Sequence, residues 1–178
     1  MGRTNRLVSL SVPFNLLGPD CEFLVAPTDA LVRTLCAIVK KNMQKLYDEA
    51  GDEWTWSDDR KFLELRHKDS KFLILRHGDG QIAGFLAFRF EPGGVAYIYE
   101  LQAVVSGRGV GTRLLQTLER ICRELTNVRK LLLTVLCGNS DARRFYEKHG
   151  WRQDETCPVN AKYVVLCKLI GLDCSLDC

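Results

Sequence analysis

The sequence predicts a single mixed α/β domain, on three observations. The stretch PTDALVRTLCAIVKKNMQKLYDEAG keeps apolar residues at helical spacing. It is followed by KFLILRH, QIAGFLAFRFE and VAYIYELQAVV, joined by the tight turns GDG and PGG, which reads as an antiparallel meander of strands. Beyond them the period changes again, to helix, buried strand, helix and strand.

The elements follow in order. Residues 1–20 read as a leader of uncertain order, because Pro13, Gly18 and Pro19 interrupt any regular element. CEFLVA supplies a first strand. The long helix starts at Thr28 or Asp29, buries Leu31, Leu35, Ile38 or Val39, and Leu46, and closes at Gly51. A short helix starts at Ser57, with Asp58 and Asp59 at the positive end of its dipole. After the meander, GTRLLQTLERICRELTN forms an amphipathic helix whose stripe is Leu114, Leu115, Leu118, Ile121, Cys122 and Leu125. KLLLTVLC is a buried strand, NSDARRFYEKHG a helix ending at Gly150, and AKYVVLCKL a last strand. The expected organisation is a leader over 1–20, one domain over 21–170 and a short Cys-containing tail over 171–178.

Composition sets bounds on function. The 178 residues, 46% hydrophobic and 26% charged, suit a globular domain with a real core. A net charge of +3, with no basic stripe interleaved with aromatics, argues against direct nucleic-acid binding. No apolar run approaches the ~20 residues of a membrane span, and the N-terminal stretch lacks a signal-peptide core with a cleavage site. Gly2 is not a myristoylation site by pattern, since Arg6 stands where Ser or Thr is required. The 8 cysteines, Cys21, Cys36, Cys122, Cys137, Cys157, Cys167, Cys174 and Cys178, are scattered without a CxxC pair. They read as free, mostly buried thiols of a reducing compartment, and no metal site is expected.

The chemistry is concentrated at SGRGVGTRLL, residues 106–115. A strand, a glycine-rich turn and a helix make an anion site, because the first helix amides lack internal partners and the dipole adds positive charge. Gly107, Gly109 and Gly111 let the backbone approach a phosphate closely, while Arg108 and Arg113 add charge. A Walker loop is excluded, as no Gly-Lys-Ser or Gly-Lys-Thr occurs, and a dinucleotide fold would place the loop after the first strand of a βαβ unit. A plain connecting turn is the structural alternative.

Read together, ELQAVVSGRGVGTRLL and LTVLCGNSDARRFYEKHGW resemble the GNAT superfamily of N-acetyltransferases, over roughly residues 21–170. The resemblance implies a GNAT fold: a mixed, mostly antiparallel sheet with splayed middle strands, flanked by helices. It implies acetyl-CoA as cosubstrate, lying between the splayed strands with its pyrophosphate on the glycine turn. The cofactor-binding residues it implies are Leu101, Gln102, Ala103, Ser106, Gly107, Arg108, Gly109, Val110, Gly111, Thr112, Asn139, Ala142 and Tyr146, with Tyr146 near the thioester sulfur. The family pattern is Arg or Gln, two residues, Gly, one residue, then Gly or Ala. Ser106 stands in place of the Arg or Gln, and the loop from Gln102 to Gly107 is about two residues short, so weakened rather than abolished cofactor binding is expected.

A narrower resemblance rests on KNMQKLYDEAG followed by WTW, then FRFE, YIYELQ and LLLTV. These segments are similar to NatD-type N-alpha-acetyltransferases, which act on core-histone tails beginning Ser-Gly-Arg-Gly. The resemblance implies a protein N-terminal peptide as partner, a monomer, and a place in cytoplasm and nucleus. It implies catalytic roles for Tyr47, Tyr97, Tyr99 and Glu100 beside Tyr146, and substrate contacts from Tyr47, Trp54, Trp56, Glu91, Tyr97 and Tyr99. The residue types suit the chemistry, since a terminal amine has a pKa near ~8 and needs little help to lose its proton to a carboxylate such as Glu100. A backbone amide at Leu101 is a candidate donor to the thioester carbonyl. Acidic Asp48, Glu49, Asp52, Glu53 and Glu91 could meet an arginine-bearing peptide, or simply be a solvated helix end. Each aromatic has a plain alternative as a packing residue.

One conflict follows from the sequence. Strict alternation puts Tyr97 and Tyr99 on one face of their strand and Glu100 on the other. A bulge between Tyr99 and Leu101 would be needed to bring all three to one site. Other readings of the chain are a GNAT enzyme acting on lysine side chains or small amines, and a CoA- or histone-tail-binding module without turnover.

Overall fold

A computed structural model describes residues 11–171, so residues 1–10 and the tail cysteines Cys174 and Cys178 lie outside the described residues. The elements begin with a one-turn helix α1 (Phe14–Leu17), strand β1 (Cys21–Val25) and the long helix α2 (Asp29–Ala50). A 3-10 turn (Asp52–Trp54) and helix α3 (Asp58–Leu65) lead into β2 (Lys71–Arg76), β3 (Ile82–Glu91) and β4 (Val95–Ala103). Then come α4 (Val110–Leu125), β5 (Lys130–Leu136), α5 (Ser140–Lys148), the two-residue β6 (Arg152–Gln153) and β7 (Tyr163–Leu169).

Local chemistry starts the helices where the sequence places them. The Thr28 hydroxyl accepts from the Leu31 amide at 3.3 Å, and the Ser57 hydroxyl from the Arg60 amide at 3.3 Å. Asn139 Oδ1 accepts from the Ala142 amide at 3.1 Å. Each satisfies a helix donor that has no partner within the helix. Gly51 closes α2 at φ 68°, its amide donating to the Tyr47 carbonyl at 3.1 Å. Two small elements depart from expectation. Pro13 and Gly18 cap α1 rather than preventing it, and Leu16 and Leu17 are buried against the domain. Strand β6 is too short to leave a sequence period.

The seven strands form one sheet in the order β1-β2-β3-β4-β5-β7-β6. All its pairings are antiparallel except β4 with β5, which are parallel because α4 carries the chain across between them. A core lies on each face. On one, α2 and α3 bury Val32, Leu35, Val39 and Leu65 against Phe72, Ile74, Phe85 and Ala87. On the other, α4 buries Val110, Leu114, Leu115, Leu118 and Ile121 against Leu86, Phe88, Ile98 and Leu133, with Tyr146 of α5 in the same cluster.

Two irregularities of β4 create the working end of the sheet. It pairs with β5 only over Val95–Ile98 against Lys130–Leu133, so beyond Ile98 the two strands part. Against β3 its register shifts, with Ala87 opposite Glu100 but Phe88 opposite Ile98, which leaves Tyr99 as an extra residue. That is the bulge the sequence required.

Gly84 of β3 lies under this end. A Cβ there would sit 2.5 Å from the Gln102 carbonyl oxygen and 2.5 Å from Val110 Cγ1. Gly84→Ala must push β3 off both the bulged strand and the start of α4. It is expected to cost about 1–3 kcal/mol, as overpacking does. Urea unfolding should show this as a lower midpoint at unchanged slope. An unaltered midpoint would mean that the contact yields freely.

Candidate active site

Opposite residues of an antiparallel pair share a face. Ala87 faces α2 and α3, so its partner Glu100 does too, and so does Tyr97, the partner of Arg89. The extra residue Tyr99 joins them: its ring lies 4.9 Å from that of Tyr97, and the Arg89 guanidinium sits 3.9 Å above it. The bulge thereby puts Tyr97, Tyr99 and Glu100 on one face. All three line a cleft of about 360 Å³ at the splay of β4 and β5, with Met43 and Tyr47 from α2 and Lys61 and Glu64 from α3. Trp54, Asn139, Ala142 and Tyr146 line it as well.

Glu100 is only 4% exposed. Lys61 Nζ donates to its Oε1 at 2.6 Å, and Gln102 Nε2 to its Oε2 at 2.8 Å. Asn42 of α2 extends the chain of bonds, donating to Gln102 Oε1 at 3.0 Å and to the Ala103 carbonyl at 3.0 Å. At the other end Lys61 also donates to Glu64 Oε1 at 2.7 Å. Burial by itself would lower the Lys61 pKa, but Glu100, Tyr47 and Glu64 more than reverse that and raise it, so Lys61 stays an ammonium. Glu64 moves the opposite way to an ordinary paired carboxylate. Burial raises its pKa, the Glu100 charge adds to that, and Lys61 only partly offsets them.

The cleft tyrosines are hydroxyl donors, not phenolates. Burial raises Tyr47, Tyr97, Tyr99 and Tyr146, and the Glu100 charge raises Tyr47 and Tyr146 further. Tyr97 Oη lies 2.5 Å from Thr134 Oγ1 on β5, bridging the two strands where they part. Tyr47 stacks on Trp54 at 6.1 Å, giving one side of the cleft an aromatic wall, and Tyr163 packs on Trp54 at 5.4 Å outside the cleft lining.

The glycine turn stands where β4 runs out. Gly107 and Gly109 have φ 76° and 73°, open to glycine without strain, and a Cβ on either would meet nothing within 4 Å. Gly109 is the residue before α4 and no side chain caps the helix there, so its first amides are free for a ligand. A Cβ on Gly111 would lie 3.1 Å from Phe145, so this glycine serves packing of α4 on α5. Ser106 and Arg108 are exposed, whereas the Val110 side chain is buried and offers only its backbone outward. Thr112 Oγ1 lies 2.9 Å from His149 Nε2. The uncapped helix start, the bare glycine backbone and the partnerless edge of β4 beyond Ile98 together fit a ligand with a phosphate group and an extended amide chain.

The acetyltransferase (GNAT) family pattern matches residues 40–151, more than half of the chain. The chain belongs to the GNAT family. Its sequence is 37% identical to the Bacillus subtilis protein YxbD over 76 residues, 43% of this chain and 46% of that one. The chain spans about half the length of the curated relatives it matches. The fold superposes on the PaiA N-acetyltransferase of Thermoplasma acidophilum, crystallised with coenzyme A, at a TM-score of 0.64 and 18% identity, covering 85% of this chain and 99% of that one. It also superposes on Arabidopsis thaliana NAA60 in complex with a bisubstrate analogue, at 0.60 and 15% identity, covering 85% and 98%.

Within this GNAT domain, most of the expected site residues converge, and a few stand apart. Trp56 packs on Tyr47 at 5.9 Å, outside the main cleft, and its indole donates to Asp58 at 2.9 Å. Glu91 sits at the end of β3, reached by the Tyr99 hydroxyl at 3.4 Å. Asp48 accepts from the Trp56 amide at 2.9 Å and Glu49 pairs with Lys45 at 3.7 Å, so these acids serve the helix end. The side chain of Asn139 is used as the α5 cap, although the residue lines the cleft. Sequence reading missed Lys61, Glu64 and Asn42. The one available signal was amphipathic α3, whose KFLEL turn puts Lys61 and Glu64 three apart on one side.

Lys61 is 8% exposed and is the counter-charge of a buried carboxylate. Lys61→Met is expected to cost about 3–5 kcal/mol, the range for a buried pair that loses one partner. Pairing it with Glu100→Gln should restore part of that loss. Both are read by urea unfolding, and strict additivity of the two losses would show that the charges do not interact.

Proposed function

We propose that this protein is an acetyl-CoA-dependent N-acetyltransferase that modifies the N-terminal amine of a protein, with histone tails beginning Ser-Gly-Arg-Gly as the acceptor. The observation that carries this reading is the convergence of Tyr47, Tyr97, Tyr99 and Glu100 on one cleft at the strand splay, with the glycine turn beyond it. The narrower acceptor rests on the YIYELQ and KNMQKLY segments that supply those side chains.

Acetyl-CoA supplies the acetyl thioester. Residues of this chain do the rest. The backbone of Gly107, Gly109 and Gly111 with the first amides of α4 holds the pyrophosphate, and the edge of β4 that β5 leaves unpaired at Leu101–Ala103, where Asn42 meets the Ala103 carbonyl, holds the pantetheine amides. The aromatic wall of Tyr47 and Trp54 flanks the incoming peptide. Neutral hydroxyls of Tyr97 and Tyr99 orient the amine, and Tyr146, kept protonated by burial, is placed to donate to a leaving thiolate.

The test measures thiol release from acetyl-CoA with two peptides, one with a free Ser-Gly-Arg-Gly terminus and one with the same sequence blocked but with its lysines intact. Turnover with the free terminus alone is the expected result. Turnover with the blocked peptide alone would move the acceptor to lysine, and silence with both would remove the reading. A second expectation concerns the turn. Gly109→Val forces a β-branched side chain into φ 73° and should weaken acetyl-CoA binding by tenfold or more in calorimetry. Ser106→Ala, exposed and outside the backbone cradle, should leave it within about twofold.

A further inference from the structure

The cleft holds two carboxylates in unlike settings, and the contrast identifies a base that sequence reading overlooked. Both oxygens of Glu100 are taken, one by the Lys61 ammonium at 2.6 Å and one by the Gln102 amide at 2.8 Å, and its side chain is 4% exposed. Neither oxygen of Glu100 is therefore left open to an incoming ammonium. Glu64 shares the Lys61 ammonium with Glu100 but is more open. Its side chain is 35% exposed, it lines the same cleft, and Lys61 meets only its Oε1, at 2.7 Å. Among the described residues its Oε2 has no hydrogen-bond partner. Glu64 is therefore the cleft-lining carboxylate that keeps an oxygen without a hydrogen-bond partner.

We infer that Glu64 is the general base that accepts the proton of the acceptor ammonium, and that Glu100 acts as a positioning residue which fixes Lys61 and, through it, Glu64. The inference rests on the N-acetyltransferase reading above. The acceptor –NH3+ gives one proton to the Glu64 carboxylate, leaving a neutral amine and a carboxylic acid. The nitrogen forms the C–N bond to the acetyl carbonyl carbon while the C–S bond breaks. Tyr146 passes a proton to the sulfur and is restored by the second proton lost from nitrogen. Glu64 then returns its proton to solvent, so each turnover yields an amide, a thiol and one H+.

The environment of Glu64 suits that task, because burial holds its pKa above the ordinary carboxylate range and so nearer to that of the amine. The charged and titratable groups around it are Lys61 on its own helix, Glu100 and Tyr97 from β4, Arg89 from β3, and Tyr47 and Cys36 from α2. Among them only Glu64 is a cleft-lining carboxylate with an oxygen that accepts no hydrogen bond from a described residue. Its backbone carbonyl, which accepts from Ser70 and Arg89, is untouched by a side-chain substitution.

The experiment uses the full chain, acetyl-CoA and the free-terminus peptide, with Glu64→Gln and Glu64→Asp. Glu64→Gln keeps an oxygen for Lys61, and its fold is checked by its melting temperature and by acetyl-CoA affinity, expected within about twofold of the parent. The expected result is a fall in kcat of about 10²–10⁴-fold with little change in peptide KM. The acidic limb of its pH profile should move up to ~8, the pKa of the amine itself, because the acceptor must then arrive neutral. Glu64→Asp should keep the parent limb with an intermediate kcat. Normal turnover by Glu64→Gln, within threefold and with the limb unmoved, would overturn the assignment. Absence of turnover in the parent with every amine tested would overturn the acetyltransferase reading, and this base with it.

Discussion

One extra residue in one strand organises this molecule. Tyr99 has no partner across β3, and the strand must turn its alternation over by one position to resume pairing at Glu100. Without that shift Glu100 would point into the apolar face under α4, where a charge has no counter-ion. With it, the carboxylate meets Lys61, the tyrosines share its side, and β4 bends away from β5 at the point where a cleft is needed. The bulge is thus both a steering device for side chains and the cause of the free strand edge.

The bulge commits the rest of the packing. A buried carboxylate demands a buried cation, which α3 brings from a position three residues before a second acid. The remaining oxygen demands a neutral donor, which the strand itself supplies two residues on, at Gln102. Asn42 then ties Gln102 to the 22-residue helix α2, so that the long helix, the short helix and the bulged strand are joined by one line of polar bonds that runs from exposed Asn42 to buried Glu100 and Lys61. Because the bonds at Glu100, Gln102 and Lys61 satisfy groups that burial would otherwise penalise, the line fixes the relative placement of three elements rather than adding much net stability.

How much of this was legible in the sequence differs by kind of feature. Helices and strands were readable where local chemistry marks them: Thr28, Ser57 and Asn139 at helix starts, Gly51 at a helix end, the turns GDG and PGG between strands. The bulge was readable only as a contradiction between alternation and the grouping of Tyr97, Tyr99 and Glu100. The role of α3 was not readable. Lys61 and Glu64 look in sequence like an ordinary solvated pair on a helix surface, and only the tertiary fold shows that this surface is turned inward. Trp54 and Trp56 show the reverse. They are two apart and chemically alike, yet one lines the cleft and the other braces Tyr47 from behind.

The glycine turn carries a consequence for how such a chain can diverge. At Gly107 and Gly109 the atoms turned outward belong to the main chain, and the neighbouring side chains, Ser106 and Arg108, stand in solvent. Mutational drift can rewrite those two side chains without touching the amides. The left-handed backbone and the close contact of Gly111 with Phe145 tolerate no such freedom. A motif defined by side-chain letters will therefore fade in this lineage well before the shape that it stands for.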